Sequence, residues 1–147
     1  MGAPGEEKVH AEFCRYGTDP GRALWPNSVA LDKQGNVYVS DDWLNRISSF
    51  DKDGNFLNAW GTKGSGPGQL AGPAGLAFDA DDNLYVVDSL NHRIQVFTKD
   101  GKFLTTWGKL GTGPAEFNMP WGIHIDANDD VFVADWKNNR VQKLTRT

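Results

Sequence analysis

The chain has 147 residues, 39% of them hydrophobic, which is the size and composition of one globular domain. Its formal net charge of -4 and sequence pI of about 5.2 argue against a nucleic-acid partner, because phosphate backbones bind strongly basic surfaces. No apolar run approaches the roughly 18 residues that span a bilayer, and the first ten residues lack the apolar core of a signal peptide. No membrane partner is therefore expected, and the compartment stays open.

The predicted elements begin with residues 12–17, EFCRYG, which align with FLNAWG and FLTTWG further along the chain. They are predicted to be a lone fourth strand that belongs to a preceding unit. In this alignment Tyr16 takes the place of Trp60 and Trp107, and aromatic side chains at this position are expected to pack between units. The single cysteine, Cys14, lies in the same segment and is expected to be a free thiol.

Residues 25–71 contain four short runs that are typical of strands, SVALD, NVYVSD, RISSF and FLNAWG. The intervening DKQGN and DKDGN have the Asp, Asn and Gly residues of tight hairpins. Residues 72–118 repeat all four runs, and residues 119–147 repeat the first three. The chain is therefore predicted to be all-β, with antiparallel units of four strands and a last unit that lacks its fourth strand.

Single residues keep the same spacing throughout. A proline, an aspartate and an arginine each recur every 47 residues, at Pro26, Pro73 and Pro120, at Asp41, Asp88 and Asp135, and at Arg46, Arg93 and Arg140. A repeat of this length indicates that each copy is one supersecondary unit.

Four-stranded units that repeat radially form a β-propeller. The middle copy contains PAGLAFD, DNLYVVD, NHRIQVF and GKFLTTWG, and this ordered set resembles the repeat of the NHL family. The resemblance implies propeller blades, about three blades' worth, or half of a six-bladed ring. The missing blades would come from the same gene or from a second copy of the chain, whose N-terminal strand would complete the third blade.

The recurrence of the Asp and Arg residues argues against catalysis, since a catalytic group is needed once per site and not once per blade. The planar arginine fork is expected to bridge the aspartate carboxylate and loop carbonyls. His92 precedes Arg93 and is matched by Asn45 and Asn139 in the other copies. An amide replaces an imidazole most readily where only hydrogen bonding or loop geometry matters, so His92 is not expected to be a general base.

Three tryptophans stand where the copies differ from one another. Trp43 and Trp136 follow the repeated aspartate, and Trp121 follows the repeated proline. Aromatic side chains on the loops of a rigid scaffold commonly bind partners. Trp43, Trp121 and Trp136 are therefore predicted to contact a protein or a small-molecule ligand, with packing between neighbouring blades as the alternative.

The resemblance also bears on enzymatic activity. The peptide-amidating lyase of similar fold has histidines after the repeated proline, where this chain has Asn27, Ala74 and Trp121. His124 replaces an alanine of the other copies, but zinc usually requires three protein ligands. A binding module without a cofactor is therefore expected. The alternative is a metal-dependent lyase or lactonase-like enzyme, with His124 in a site that further blades would complete.

Overall fold

The computed structural model describes Gly5 and residues 7–145, and this part of the chain folds into eleven β-strands. They are β1 (Pro26–Leu31), β2 (Val37–Asp41), β3 (Arg46–Phe50), β4 (Phe56–Trp60), β5 (Pro73–Phe78), β6 (Leu84–Asp88), β7 (Arg93–Phe97), β8 (Phe103–Trp107), β9 (Pro120–Ile125), β10 (Val131–Asp135) and β11 (Arg140–Leu144). Single turns of 3-10 helix, Ser89–Asn91 and Trp136–Asn138, follow β6 and β10. No helix within the described residues is long and apolar enough to cross a membrane. The all-β prediction is confirmed.

Hairpins join the first and second strands of each unit, and an aspartate side chain closes each of these turns. The Asp32 carboxylate accepts hydrogen bonds from the N–H groups of Gln34 and Asn36, both at 2.9 Å. Asp79 and Asp126 bond the corresponding N–H groups of their own turns. Burial opposes ionisation of Asp32, but the hydrogen bonds from Asn36 and Gln34 hold the pKa of this carboxyl below its ordinary value. The aspartate side chains of these acidic turns thus serve to close the hairpins.

The strands form three antiparallel sheets in chain order. The first sheet is β1-β2-β3-β4, the second is β5-β6-β7-β8, and the third is β9-β10-β11. Within each sheet the repeated proline pairs with the repeated aspartate: Pro26 with Asp41, Pro73 with Asp88, and Pro120 with Asp135. The first strand of every sheet therefore begins at the edge where the second strand ends, and this edge carries the repeated loops.

The sheets pack face to face, with β1 and β2 against β5, and β5 and β6 against β9. Each interface is filled by an apolar cluster. One contains Tyr38, Ile47, Leu70, Leu76, Leu84, Val86 and Phe97, and the other contains Ala74, Tyr85, Val87, Ile94, Val96, Phe117, Val131 and Val133. The approach is close at Gly75, where a Cβ would lie 2.7 Å from the carbonyl oxygen of Trp121. Only glycine fits there, since that oxygen belongs to the backbone of the next sheet.

The tryptophans that end β4 and β8 lie in these interfaces, as the sequence predicted. The ring of Trp60 lies 4.6 Å from that of Phe97, and the ring of Trp107 lies 6.0 Å from that of Phe117, between centroids. Phe13 makes the corresponding contact 47 residues earlier, 5.8 Å from Phe50. Phe13 is therefore the counterpart of Trp60.

The prediction that Tyr16 takes this position is wrong by three residues. Tyr16 forms a parallel bridge with Ala23, as Lys63 does with Leu70, so the 47-residue offset continues without a gap. The chain can keep this offset because Cys14 adopts a positive φ of 55°. Burial, and next the charge of Asp41, raise the pKa of the Cys14 thiol to about 11, so this free cysteine is a poor nucleophile. That residues 12–17 belong to a preceding blade stays a prediction.

Candidate functional site

The starts of the first strands and the loops after the second strands share one edge of the molecule, which we call the loop edge. It comprises residues 24–27 and 41–46 in the first sheet, 71–74 and 88–93 in the second, and 118–121 and 135–140 in the third. All of the candidate residues of the sequence except His124 fall within these segments. The backbone there is fixed by the repeated aspartate and arginine.

Asp88 is completely buried in the second sheet and accepts hydrogen bonds on both carboxylate oxygens. Oδ1 accepts from the N–H of Ala71 at 2.7 Å, and Oδ2 accepts from Asn91 at 3.0 Å, Gln95 at 3.1 Å and Arg93 Nε at 2.8 Å. Arg93 Nη1 donates to the carbonyl of Ser65, and Nη2 donates to the carbonyls of Gly66 and Gln69, each at 2.9 Å. This network ties the loop edge to the segment that enters the sheet.

The third sheet repeats the network, and the first sheet does not. Asp135 accepts from Arg140 Nε at 2.9 Å. Burial opposes its ionisation, but hydrogen bonds from Asn118, Asn138 and Arg140 hold the pKa of Asp135 below its ordinary value. In the first sheet the Asp41 carboxylate accepts hydrogen bonds from four backbone N–H groups. The Arg46 guanidinium donates only to backbone carbonyls. The aspartate–arginine bridge expected from the sequence is thus present in two of the three sheets; Asp41 and Arg46 do not form it.

His92 joins the second sheet to the third. Its Nδ1 accepts a hydrogen bond from the N–H of Met119 at 3.0 Å, and Asn45 Oδ1 accepts from Gly72 N–H at 2.8 Å at the preceding interface. Both residues have a left-handed backbone, with φ of 55° and 56°, where Asn and His are better tolerated than most side chains. His92 therefore provides an acceptor between sheets, and the same function is performed by an amide in the first sheet.

Replacing His92 separates this role from a catalytic one. We expect His92→Asn to keep the free energy of unfolding within about 0.5 kcal/mol of the original, because Asn45 shows that an amide oxygen makes the same bond. His92→Ala leaves the N–H of Met119 without an acceptor and should cost about 1 to 3 kcal/mol. Urea denaturation of the three proteins measures both values. Equal losses in the two variants would contradict the proposed hydrogen bond.

Two exposed apolar side chains of the loop edge occupy one repeat position. Trp43 and Leu90 are 47 residues apart and are 69% and 54% exposed. Trp25, 62% exposed, lies beside the loop that carries Trp43, because Asp42 N–H donates to the Trp25 carbonyl at 3.2 Å. The sequence patterns did not single out Trp25 or Leu90. Leu90 could have been found from the sequence, because it is an apolar residue at the same repeat position as Trp43.

Trp121 and Trp136 form a second aromatic group. Their rings meet edge to face with centroids 6.2 Å apart, and they line an open cavity of about 850 Å³ that extends to Val141. The residues at the same positions of the second sheet, Ala74 and Ser89, are 0% and 1% exposed. Trp121 and Trp136 thus stand where the second sheet is covered by its neighbour. This placement favours packing between blades, whereas Trp43 lies at a position that stays exposed in the second sheet.

His124 lies at an exposed position on β9, away from the loop edge. Its ring centroid is 6.3 Å from that of Phe132 in a tilted arrangement. Among Gly5 and residues 7–145, no three His, Cys, Asp or Glu side chains are grouped so that they could hold a metal ion. A metal site that includes His124 would need ligands from outside these residues.

Comparison with known proteins identifies the repeat. A family model described as a 6-bladed beta-propeller matches residues 70–143. Human NHL repeat-containing protein 3 is 49% identical over 45 residues, which cover 30% of this chain and 13% of that protein. Protein lin-41 of Caenorhabditis elegans is 40% identical over 46 residues, 31% of this chain and 4% of that protein. The chain therefore matches only a small part of these relatives.

Solved structures show the same fold over more of the chain. A virginiamycin B lyase from Staphylococcus aureus superposes with a TM-score of 0.65 at 22% identity, covering 83% of this chain and 38% of the lyase. A protein of unknown function from Bacteroides thetaiotaomicron superposes with a TM-score of 0.67 at 22% identity, covering 86% of this chain and 35% of that one. At this identity the likeness shows the fold alone.

Proposed function

This chain belongs to the 6-bladed β-propeller family and carries NHL repeats, and from that premise we propose that it is a binding module whose loop edge recognises an apolar segment of another protein. The observation that carries the proposal is the exposure of Trp43 and Leu90 at one repeat position, with Trp25 exposed beside the loop of Trp43. Large apolar side chains held in water on a rigid surface are favourable contacts for a partner, because binding removes them from water.

The shape of this surface favours a protein segment over a small molecule. Small-molecule sites are concave and enclose most of the ligand. Trp43 and Leu90 instead project from loops of two different sheets, so an occupant that touches both must extend from one sheet to the next. An extended peptide or a surface loop with apolar side chains meets that requirement.

The rigidity of the loop edge supports the same conclusion. The loop that carries Leu90 is anchored by Asp88, which bonds Arg93, Asn91 and the N–H of Ala71. In the first sheet the Asp41 carboxylate accepts the N–H of Trp43 itself at 3.1 Å. A contact surface whose backbone is fixed before binding loses less conformational freedom when a partner docks.

Selection from a displayed library of random peptides tests this proposal. Peptides enriched on the original protein should be rich in apolar and aromatic residues. Their affinity should fall by about tenfold or more in Trp43→Ser and in Leu90→Ser, since truncating a central aromatic or aliphatic contact commonly costs over 1 kcal/mol. Isothermal titration of two or three selected peptides measures the change.

Leu104→Ser provides the matched control. Leu104 is a comparably exposed leucine on β8, outside the loop edge, so its replacement should leave the affinity of these peptides unchanged. Failure to enrich any peptide, or equal losses of affinity in all three variants, would overturn the proposal.

A further inference from the structure

The repeat position of Trp43 and Leu90 is filled in the third sheet by Lys137, which stands 47 residues after Leu90 and is exposed. We call Trp43, Leu90 and Lys137 the repeat row. The second sheet is packed against a sheet on either side, and Leu90 is still 54% exposed. A side chain at this position is therefore expected to stay in water in any sheet that is covered on both faces.

The loops that carry the repeat row are fixed in the same way in the second and third sheets. The N–H of Leu90 donates to the carbonyl of Ala71 at 3.0 Å, and the N–H of Lys137 makes the corresponding bond to Asn118 at 3.1 Å. The Leu90 side chain also lies against Gly72, where a Cβ would come within 3.0 Å of Leu90 Cγ. These positions are thus set before any partner binds.

Lys137 differs from the other cations of the loop edge. Arg93 and Arg140 form ion pairs with the aspartates of their own sheets, and Arg46 donates to three backbone carbonyls. Lys137 forms no ion pair with any residue that the structure describes. Its Nζ lies 5.6 Å from the centroid of the Trp136 ring, which holds the ammonium near the surface. This charge is available to an acidic group of a partner.

A group of opposite charge lies at the other end of the repeat row. Asp42 precedes Trp43 in the chain, is half-buried, and accepts a long hydrogen bond of 3.4 Å from Asn27. A partner that carries an acidic residue is therefore attracted at the Lys137 end and repelled at the Asp42 end. The charges thus define which end of the repeat row receives the acidic residue.

The spacing of the repeat row selects the conformation of the partner. Sheets packed face to face lie about 10 Å apart, so equivalent positions recur at about that distance. A β-strand presents side chains to one face at steps of about 7 Å, because only alternate residues share a face. A polyproline II segment has three residues per turn and rises about 3.1 Å per residue, so its every third side chain lies on one face at steps of about 9 Å. The polyproline II spacing is the better match.

We infer that the partner is a polyproline II segment of another protein in which every third residue is, in order, apolar, apolar and acidic, and that these three side chains contact Trp43, Leu90 and Lys137. This inference rests on the proposed function and adds the spacing and the charge of the segment that is bound. Exposed aromatic side chains are the usual contacts of polyproline II segments, whose preformed conformation loses little entropy on binding.

Fluorescence anisotropy with three labelled synthetic peptides tests the inference. The first is Leu-Pro-Pro-Leu-Pro-Pro-Glu, the second ends in Lys in place of Glu, and the third, Leu-Pro-Leu-Pro-Glu, has the spacing of a strand. Each is also made in reverse order, because a polyproline II segment can bind in either chain direction. We expect the first peptide to bind about fivefold more tightly than the other two, the order of effect of a surface ion pair. High salt should reduce the preference for Glu over Lys.

Lys137→Glu should reverse the preference, so that the peptide ending in Lys binds more tightly than the one ending in Glu. Lys102→Glu is the matched control, because it makes the same change of charge at an exposed position in the turn between β7 and β8 and should leave the preference as it was. An unchanged preference in Lys137→Glu, or no dependence on spacing, overturns the inference. If none of these peptides binds while library peptides still respond to Trp43→Ser, the inference fails and the proposed function stands.

Discussion

Asp88→Ala is expected to lower the free energy of unfolding by about 3 to 5 kcal/mol, the range seen when one member of a buried ion pair is removed. Asp88 is completely buried and receives four hydrogen bonds, one of them from Arg93 Nε at 2.8 Å. Alanine would leave the guanidinium partly buried without its counter-charge, and would leave the N–H of Ala71 without an acceptor. Chemical denaturation followed by circular dichroism measures the loss.

Asp53→Ala is the control for a general effect of removing an aspartate. Asp53 is exposed in the turn between β3 and β4, and only its backbone N–H is bonded there, to Asp51 at 2.9 Å. Its replacement should change the unfolding free energy by no more than about 0.5 kcal/mol. Similar losses for Asp88→Ala and Asp53→Ala would show that the buried network contributes nothing specific.

Phe97→Ala is expected to cost a similar amount, about 3 to 5 kcal/mol, through the cavity that it creates between the first two sheets. The Phe97 ring is fully buried, 4.6 Å from that of Trp60 and 6.1 Å from that of Phe103, measured between centroids. Since Trp60 belongs to the first sheet and Phe97 to the second, removing the Phe97 ring should weaken the association of these two sheets. Calorimetric unfolding measures the change in stability.

Phe56→Ala tests whether burial is the cause. Phe56 occupies in β4 the position of Phe103 in β8, but its side chain is 42% exposed. Its removal should cost only about 1 kcal/mol, because much of the Phe56 ring stays in contact with water in the folded chain and its loss leaves no closed cavity. A loss as large as that of Phe97→Ala would contradict the assignment of Phe97 to the interface.

The strands and sheets could be predicted from the sequence because their causes are local and repeated. Each hairpin between first and second strands is closed by an aspartate that bonds N–H groups two and four residues later, as Asp32 does. Such turn chemistry is visible in a short stretch of sequence. Because the copies recur every 47 residues, the strands assigned in one copy could be assigned in the others at the same spacing.

The position of the N-terminal segment could not be predicted in the same way. The pair Tyr16–Gly17 resembles Trp60–Gly61, and this likeness suggested the alignment. The structure instead continues the 47-residue offset, with Cys14 at a positive φ of 55° where Gly61 also has a positive φ, of 116°. A cysteine with positive φ is uncommon, so side-chain similarity indicated the wrong register.

The candidate site shows the same limit. Trp43 and Trp121 are both tryptophans at positions that vary between the copies, and the sequence patterns do not distinguish them. In the folded chain Trp43 lies at a position that is exposed in the second sheet as Leu90, and Trp121 at one that is buried there as Ala74. This distinction depends on which side of a sheet faces its neighbour, and it requires the packed structure.

The separate contacts between successive sheets also determine how the molecule unfolds. The first sheet packs on the second and the second on the third, each through its own apolar cluster and its own hydrogen bond between loops. The described sheets are thus coupled through nearest neighbours, and the second sheet is held from both sides. Opening the second sheet breaks both of these interfaces, whereas opening the first or the third breaks one of them, so the second sheet should be the most protected against local opening.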